Sequence, residues 1–261
     1  MRSGEDVGVL PDGIWSPSGG ASAPSPAPTP ESAYWLFYEQ VAAAQLAAWA
    51  PAAPSRVLDL SGGRGRFASQ LVRAGHEVLH VNGPASDEGP GTVVPLVADA
   101  RSLAWLRDRS VDAVLAESRT LSMCLAAEVN AEDLLRVLRP GGRLLLVVES
   151  LLLGLARLAG QGRWAELADV PSADVVLVPA EDGTITRCFW PEELESLLSD
   201  AGFEVDWVRP RSVLAPAAVE RALAEGRDVA LRTLVQTELA LAKEREGEST
   251  GIHLVASARR P

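Results

Sequence analysis

A run of small residues after a short apolar segment is the first feature that could do chemistry. Val57 to Leu60 is apolar enough for a buried strand, the turn Ser61 to Gly65 follows it, and Phe67 to Arg73 begins a helix. Small residues let the backbone approach a ligand closely, and a helix N-terminus presents unpaired N–H groups and a positive dipole. The spacing therefore predicts a cradle for an anionic or nucleoside-bearing ligand.

Two carboxylates follow later predicted strands. Glu117 comes after the apolar segment VDAVLA, and Glu149 ends the segment LLLVVE. Ligands bind beyond the carboxyl ends of strands in open α/β sheets, so both side chains should face the ligand. Either could hold a basic substrate, or act as a catalytic base if burial raises its pKa. The alternative for each is a loop charge paired with Arg119 or with solvent.

Other reactive side chains are sparse. His76 falls in a turn, whereas His80 and His253 fall inside predicted strands, so we expect all three to be structural. Cys124 and Cys188 lie far apart, without the spacing of metal ligands, and are expected to be reduced thiols of the core. The sequence predicts no metal site.

The elements that would position these residues alternate between strand and helix. Alternation of this kind predicts an α/β fold, a doubly wound and mostly parallel sheet of seven strands. The predicted strands are 56–60, 77–81, 93–97, 111–116, 143–149, 204–209 and 252–259, and the helices between them are 66–74, 101–107, 130–138, 191–201 and about 216–245.

Three segments lie outside this alternation. Residues 1–30 are rich in Pro, Ser, Gly and Ala and are expected to be disordered, ahead of one domain over 31–261 that opens with a helix over 31–49. Residues 151–189 are predicted to insert a helix and a hairpin near the ligand, as a lid or a substrate-side flap. The amphipathic helix 216–245 would pack on the sheet or form a homodimer face.

Composition narrows the partners. The 261 residues carry a formal net charge of −11 and are 47% hydrophobic. A basic stripe that could neutralise phosphates is lacking, so we expect neither a nucleic acid nor an anionic membrane surface as a partner. No apolar stretch is long enough to span a bilayer. We therefore expect a soluble, cytoplasmic protein.

Further motifs follow the glycine turn in order. Asn82 closes HEVLHVN, the motif VADA covers 97–100, LRPGGRL covers 138–144, and WPEELESLLSDAGFEV covers 190–205. As a set, from about residue 55 to 150 and more loosely to 205, they resemble the small-molecule members of the class I S-adenosylmethionine-dependent methyltransferases. The resemblance implies a Rossmann-like fold and transfer of a methyl group from S-adenosylmethionine to a small acceptor at an O, N or C centre, mainly by positioning and desolvation.

The resemblance also assigns cofactor contacts. The turn would admit the methionyl and ribose groups, with Asp59 accepting from the ammonium, unless it caps the N–H groups of its own turn. Asp99 would accept from the adenine amine, unless it caps a helix beginning near residue 101. Tyr38, with Tyr34 one helical turn away, would line the pocket or dock its helix. The residues implied are Asp59, Ser61, Gly62, Gly63, Gly65, Asn82, Asp99, Ala100, Leu103, Glu117 and Tyr38.

Two positions depart from the family pattern. Ser61 stands where the family has glycine, and it fits only if its φ is negative. Asn82 stands where an acidic residue takes the ribose hydroxyls, and an uncharged amide binds them more weakly. Asp87 and Glu88 could compensate, and Asn82 could instead serve only as a turn former.

These departures leave two hypotheses open. The chain is either an S-adenosylmethionine-dependent methyltransferase or a methyltransferase-like accessory protein with little or no catalysis. A dinucleotide-dependent oxidoreductase is a weaker third, because Ser61 and Arg66 stand where its G-x-G-x-x-G motif requires glycine.

Overall fold

The computed structural model describes residues 32–52, 54–63, 65–84, 89–117, 119–180 and 182–261. The segment 1–30, predicted to be disordered, lies outside these residues, as do Asp87 and Glu88. Within the described part of the chain, no helix is long and apolar enough to cross a membrane.

A single sheet forms the centre of the molecule. Strands β1 to β5 lie in the order β3-β2-β1-β4-β5 and are all parallel. On the far side of β5, β9 pairs antiparallel with β5, and β8 pairs antiparallel with β9. The strands are β1 Arg56–Asp59, β2 Glu77–Val81, β3 Thr92–Leu96, β4 Val111–Ala116, β5 Leu138–Ser150, β6 Val176–Pro179, β7 Ile185–Phe189, β8 Glu204–Arg211 and β9 His253–Arg259.

Strands β1 to β5, β8 and β9 are the seven predicted ones and confirm the doubly wound, mostly parallel sheet, which β6 and β7 extend to nine strands. The chain runs outward from β1 to β3 and then returns to start β4 on the other side of β1. Neighbouring connections therefore leave the carboxyl ends of β1 and β4 in opposite directions, which opens a crevice between them. The glycine turn follows β1 at this crevice.

Helices cover both faces of the sheet. One face packs β1, β4 and β5 against α3 and α6, and the other packs them against α1 and α2. The helices are α1 Ala33–Trp49, α2 Arg66–Arg73, α3 Ala127–Val137, α4 Leu151–Gly160, α5 Trp164–Asp169, α6 Pro191–Asp200, α7 Pro216–Glu225 and α8 Arg227–Glu244.

The helix predicted over 101–107 is wrong, because these residues form turns. Side chains of α3 satisfy the backbone groups that a helix would use internally. Asp133 accepts from the N–H of Leu103 at 2.9 Å, and Arg136 donates to the carbonyls of Leu103 and Leu106, both at 2.8 Å. Tertiary contacts therefore replace the local hydrogen bonds of a helix.

Two predicted helices are each divided in the structure. The C-terminal helix breaks at Gly226, whose extended φ of −167° ends α7 before α8 begins. The apolar residues of both helices pack against α1 rather than chiefly on the sheet. The inserted helix ends at Gly160 and restarts at Trp164, with Gly162 between them in the left-handed region.

The insertion ends in the predicted hairpin. Strands β6 and β7 pair antiparallel, and β7 continues the sheet by pairing with Glu149 and Ser150 at the very end of β5. Helix α4 packs on this hairpin, with Gly154 close to Cys188. The insertion is thereby fixed beside the carboxyl end of β5.

Candidate functional site

The glycine turn has a backbone that glycine adopts more easily than other residues. Gly62, Gly63 and Gly65 have φ of 61°, 64° and 68°. Ser61 lies outside the left-handed region, as its Cβ requires if serine is to replace glycine in this turn. A Cβ added to Gly63 would meet no atom within 4 Å, so this part of the turn borders open space. The turn therefore fits the predicted cradle.

Asp59 lies beneath the turn with no exposed surface. Its Oδ1 accepts from the N–H of Ser61 at 2.8 Å, the capping role given as its alternative. Its Oδ2 and the Oγ of Ser61 have no hydrogen-bond partner among the described residues. Burial raises the pKa of the Asp59 carboxyl, against the lowering effect of the hydrogen bond from the Ser61 N–H.

His80 connects the turn to the loop after β2. Its ring nitrogens lie 3.3 Å from the carbonyl oxygen of Gly62 and 3.2 Å from that of Pro84, and Nε2 is 3.8 Å from Asp59 Oδ2. The ring is fully buried, and a Cβ on Gly83 would overlap it. This placement agrees with the predicted structural role.

Asn82 ends β2 in the left-handed region, with a φ of 56°. Its Nδ2 donates to the carbonyl of Ala98 at 2.7 Å, and its Oδ1 accepts from the Ala98 N–H at 3.2 Å. The amide thus joins the loops after β2 and β3. An aspartate in this place could not make the first of these bonds, because it has no donor.

The loop after β3 agrees with the predicted adenine site only in part. Asp99 is half-exposed, and its carboxylate binds the backbone N–H and the guanidinium of Arg101 at 2.9 to 3.1 Å. These hydrogen bonds lower the pKa of Asp99. Ala100 is partly exposed. Leu103 is fully buried in the core, so its prediction as a packing face for adenine is wrong.

Glu117 is buried and forms a two-point ion pair that sequence reasoning missed. Arg211, at the end of β8, donates to its two oxygens at 2.7 and 2.8 Å, and both side chains are nearly inaccessible to solvent. Arg211 also donates to Gln45 at 2.6 Å. Because arginine N–H groups take both oxygens, Glu117 is not free to act as a catalytic base, and the partner is not the expected Arg119.

Glu149 is likewise buried and paired with arginine. Its side chain is 2% exposed and is bound by the guanidiniums of Arg119 and Arg157. Arg119 is the partner that the alternative prediction gave for Glu149. Arg157 of α4 is a second partner, which the sequence did not indicate. The predicted role of Glu149 as a free catalytic carboxylate is therefore wrong.

Tyr38 contacts Arg211 and His253. Its hydroxyl accepts from Arg211 at 3.3 Å, and its ring packs edge-on against His253 with 5.6 Å between centroids. Burial raises the pKa of Tyr38. Tyr34 is buried and donates to the Ser212 hydroxyl at 2.8 Å, so it docks α1 onto the loop after β8.

Other aromatic, charged and thiol side chains lie on the surface or in the core. Trp164 and Trp190 are 66% and 40% exposed. Arg187 is buried and paired with Glu128 and Glu193. Both cysteines are buried and unpaired, and no cluster of metal-ligand side chains occurs among the described residues.

Comparison with known proteins agrees with this geometry. A family model described as a methyltransferase domain matches residues 58–146, from the end of β1 into β5. No curated protein matches the chain by sequence.

Solved structures share the fold at low identity. An S-adenosylmethionine-dependent methyltransferase of Methanosarcina mazei is 20% identical, with a TM-score of 0.53 over 83% of this chain and 96% of that one. One of Mesorhizobium loti is 17% identical, with a TM-score of 0.52 over 88% and 99%. The resemblance drawn from the motifs is confirmed: residues 58–146 match a methyltransferase domain, and the chain shares the fold of S-adenosylmethionine-dependent methyltransferases.

Proposed function

We propose that this chain transfers the methyl group of S-adenosylmethionine to a small-molecule acceptor, and that it acts mainly by positioning and desolvation. The observation that carries the proposal is the left-handed glycine turn at the crevice between β1 and β4. When bound, the sulfonium would supply an activated methyl group for in-line displacement. The protein then needs chiefly to hold two molecules in line and exclude water.

The residues suited to hold the donor lie on three loops. The turn 61–65 would admit the methionyl and ribose groups at close range, with the unpartnered Ser61 hydroxyl beside them. Asn82 and Asp99 would reach the ribose and adenine if their bonds to Ala98 and Arg101 rearrange. Tyr38 would lie nearer the acceptor.

A general base is not part of the proposal. The oxygens of Glu117 and Glu149 are taken by arginine donors. His253 is buried among guanidiniums, and burial, reinforced by these charges, lowers its pKa to about 3, so it is a weak proton acceptor. An acceptor atom that is already nucleophilic at neutral pH would suit this site best.

Gly63→Ala tests the proposal. The new Cβ enters open space in the unbound chain but would occupy the ligand's place. We therefore expect the affinity for S-adenosylmethionine to fall at least about tenfold, which corresponds to a loss of about 1.4 kcal/mol of binding free energy. Gly141→Ala is the matched control, because Gly141 also has a positive φ, of 75°, and no atom within 4 Å of an added Cβ. Isothermal titration should show unchanged affinity in the control. Equal affinity of Gly63→Ala and Gly141→Ala for S-adenosylmethionine, or no binding of it by the native chain, would refute the proposal.

A catalytically silent binding protein is the second candidate. It is favoured by the Asn82 amide, which is engaged with Ala98 where the family pattern has a ribose-binding carboxylate. Under this alternative the native chain would bind the cofactor weakly and would turn over no acceptor.

A further inference from the structure

The accessible charges beside the carboxyl end of β5 are positive. Arg119, after β4, and Arg157, on α4, both bind Glu149, which is itself inaccessible. Their own side chains remain 41% and 36% exposed. A molecule that approaches this face therefore meets guanidinium groups and does not meet the carboxylate.

The charge balance of the surrounding cluster is also positive. Arg119, Arg157 and Arg211 contribute three positive charges, whereas Glu117 and Glu149 contribute two negative ones. This excess of one positive charge is counted within the two ion-pair networks of a chain whose net charge is −11. Overall composition therefore does not explain this cluster.

The imidazole of His253 is influenced by the positive charges of all three guanidiniums. The imidazole is 7% exposed, and its Nδ1 has no hydrogen-bond partner among the described residues. Burial is the largest cause of its depressed pKa, and Arg119, Arg211 and Arg157 each lower it further. Charges on three different elements thus converge on the start of β9, between Tyr38 and Glu149.

The cluster lies on the side of the crevice left for an acceptor. The donor's proposed loops follow β1, β2 and β3, whereas Arg119 follows β4 and Arg157 belongs to the insertion after β5. Tyr38 accepts from Arg211, which is paired with Glu117 after β4. A second small molecule would meet the arginines as it reached the donor.

We infer that the methyl acceptor is a small acid and that Arg119 and Arg157 bind its carboxylate. Guanidinium groups match carboxylates in planar, two-point hydrogen bonds. Arg119 binds Glu149 through one terminal nitrogen and Arg157 through both, and the remaining N–H groups of the two side chains would bind the acceptor's carboxylate. The inference rests on the proposed transfer to a small molecule, and it reverses the basic substrate that the sequence suggested for Glu149.

Benzoate, with neutral benzamide as its isostere, provides the test. In titrations with S-adenosylhomocysteine present, we expect benzoate to bind and benzamide not to bind. Arg119→Gln and Arg157→Gln should each weaken benzoate at least about tenfold, the factor expected for one charge-assisted hydrogen bond. Arg163→Gln is the matched control, because Arg163 lies in the same insertion, is 39% exposed and pairs with Glu166.

Glu149→Gln gives a result that a purely structural role would not. It removes the competing carboxylate, so benzoate should bind more tightly than to the native chain. If loss of an arginine impairs folding, the same loss is tested in the Glu149→Gln background, where no buried charge is left unpaired. Absence of benzoate binding, equal binding of benzamide, or unchanged affinity in both arginine variants would overturn the inference.

Binding of S-adenosylmethionine is measured separately for each variant. Failure of the native chain to bind it would refute the proposed function, whatever the benzoate result. Normal cofactor binding without selectivity for benzoate would overturn only the acidic acceptor.

Discussion

Asn82 is a single residue at which the two functional hypotheses can be separated. Asn82→Asp introduces a charged acceptor for the ribose hydroxyls at the cost of the bond to the Ala98 carbonyl. Aspartate tolerates the left-handed φ of 56°. We expect S-adenosylmethionine affinity to rise about tenfold, because hydrogen bonds to charged groups are stronger than neutral ones.

Titration of the native chain, Asn82→Asp and Asn82→Ala checks this expectation. The alanine variant loses both bonds to Ala98 and gains no acceptor, so it should bind no more tightly than the native chain. Weaker binding by the aspartate variant would mean that the bridge to Ala98 matters more than a ribose contact.

Loss of Arg211 should strongly destabilise the fold. Arg211→Met leaves the carboxylate of Glu117 buried without a counter-ion, which costs about 3–5 kcal/mol in comparable pairs. The double variant Arg211→Met with Glu117→Gln removes both charges and should recover part of this loss. Urea unfolding measures both, with Arg259→Gln as the control, because its pair with Glu204 is 56% exposed on each side and should contribute at most about 1 kcal/mol. Equal stability of single and double variants would contradict the argument.

The sequence predicted the backbone of the site better than its ion pairs. The glycine turn, Asn82 and Asp99 lie at strand ends, and local patterns are enough to find them. Glu117 and Arg211 are 94 residues apart, so no local spacing could show that they meet. Once this pair forms, a carboxylate expected to be a base becomes part of the framework.

Among the elements, α4 owes its position to a glycine. A Cβ on Gly154 would lie 2.9 Å from the sulfur of Cys188, so α4 and β7 approach closely at this point. We expect Gly154→Ala to lower the free energy of unfolding by about 1–3 kcal/mol through overpacking. Gly160→Ala is the control in the same helix, because an added Cβ there meets no atom within 4 Å and should stabilise the helix by up to about 1 kcal/mol. Opposite signs in thermal or urea unfolding are the expected result, and destabilisation by both would count against it.

Element boundaries depended on contacts that sequence patterns do not contain. The segment 101–107 looked helical, but Asp133 and Arg136 of α3 take its backbone groups. The long C-terminal helix was a reasonable expectation from its apolar spacing, yet Gly226 divides it so that both halves pack on α1. In each case tertiary packing overrides a local preference.

At the scale of the molecule, alternation of strands and helices was enough to predict the sheet. It was not enough to predict which strands are neighbours, because β9 lies between β5 and β8 and pairs with both. This arrangement brings His253, Glu149 and Arg211 side by side from three distant segments. The stability of the whole chain should therefore respond to the ionisation of this region.

His253 makes that response testable. Burial, aided by Arg119, Arg211 and Arg157, lowers its pKa from 6.5 to about 3 in the folded chain. Between these values the unfolded chain binds a proton that the folded chain does not, so the free energy of unfolding should fall as pH drops, by at most about 1.4 kcal/mol per unit. The raised pKa of Asp59 acts in the opposite direction above pH 3.8, where the folded chain holds a proton that the unfolded chain has lost. Urea unfolding between pH 7 and 4 should show a shallower slope for His253→Gln, since glutamine has no proton to gain, and an unchanged slope would show that carboxylates elsewhere set the acid limit.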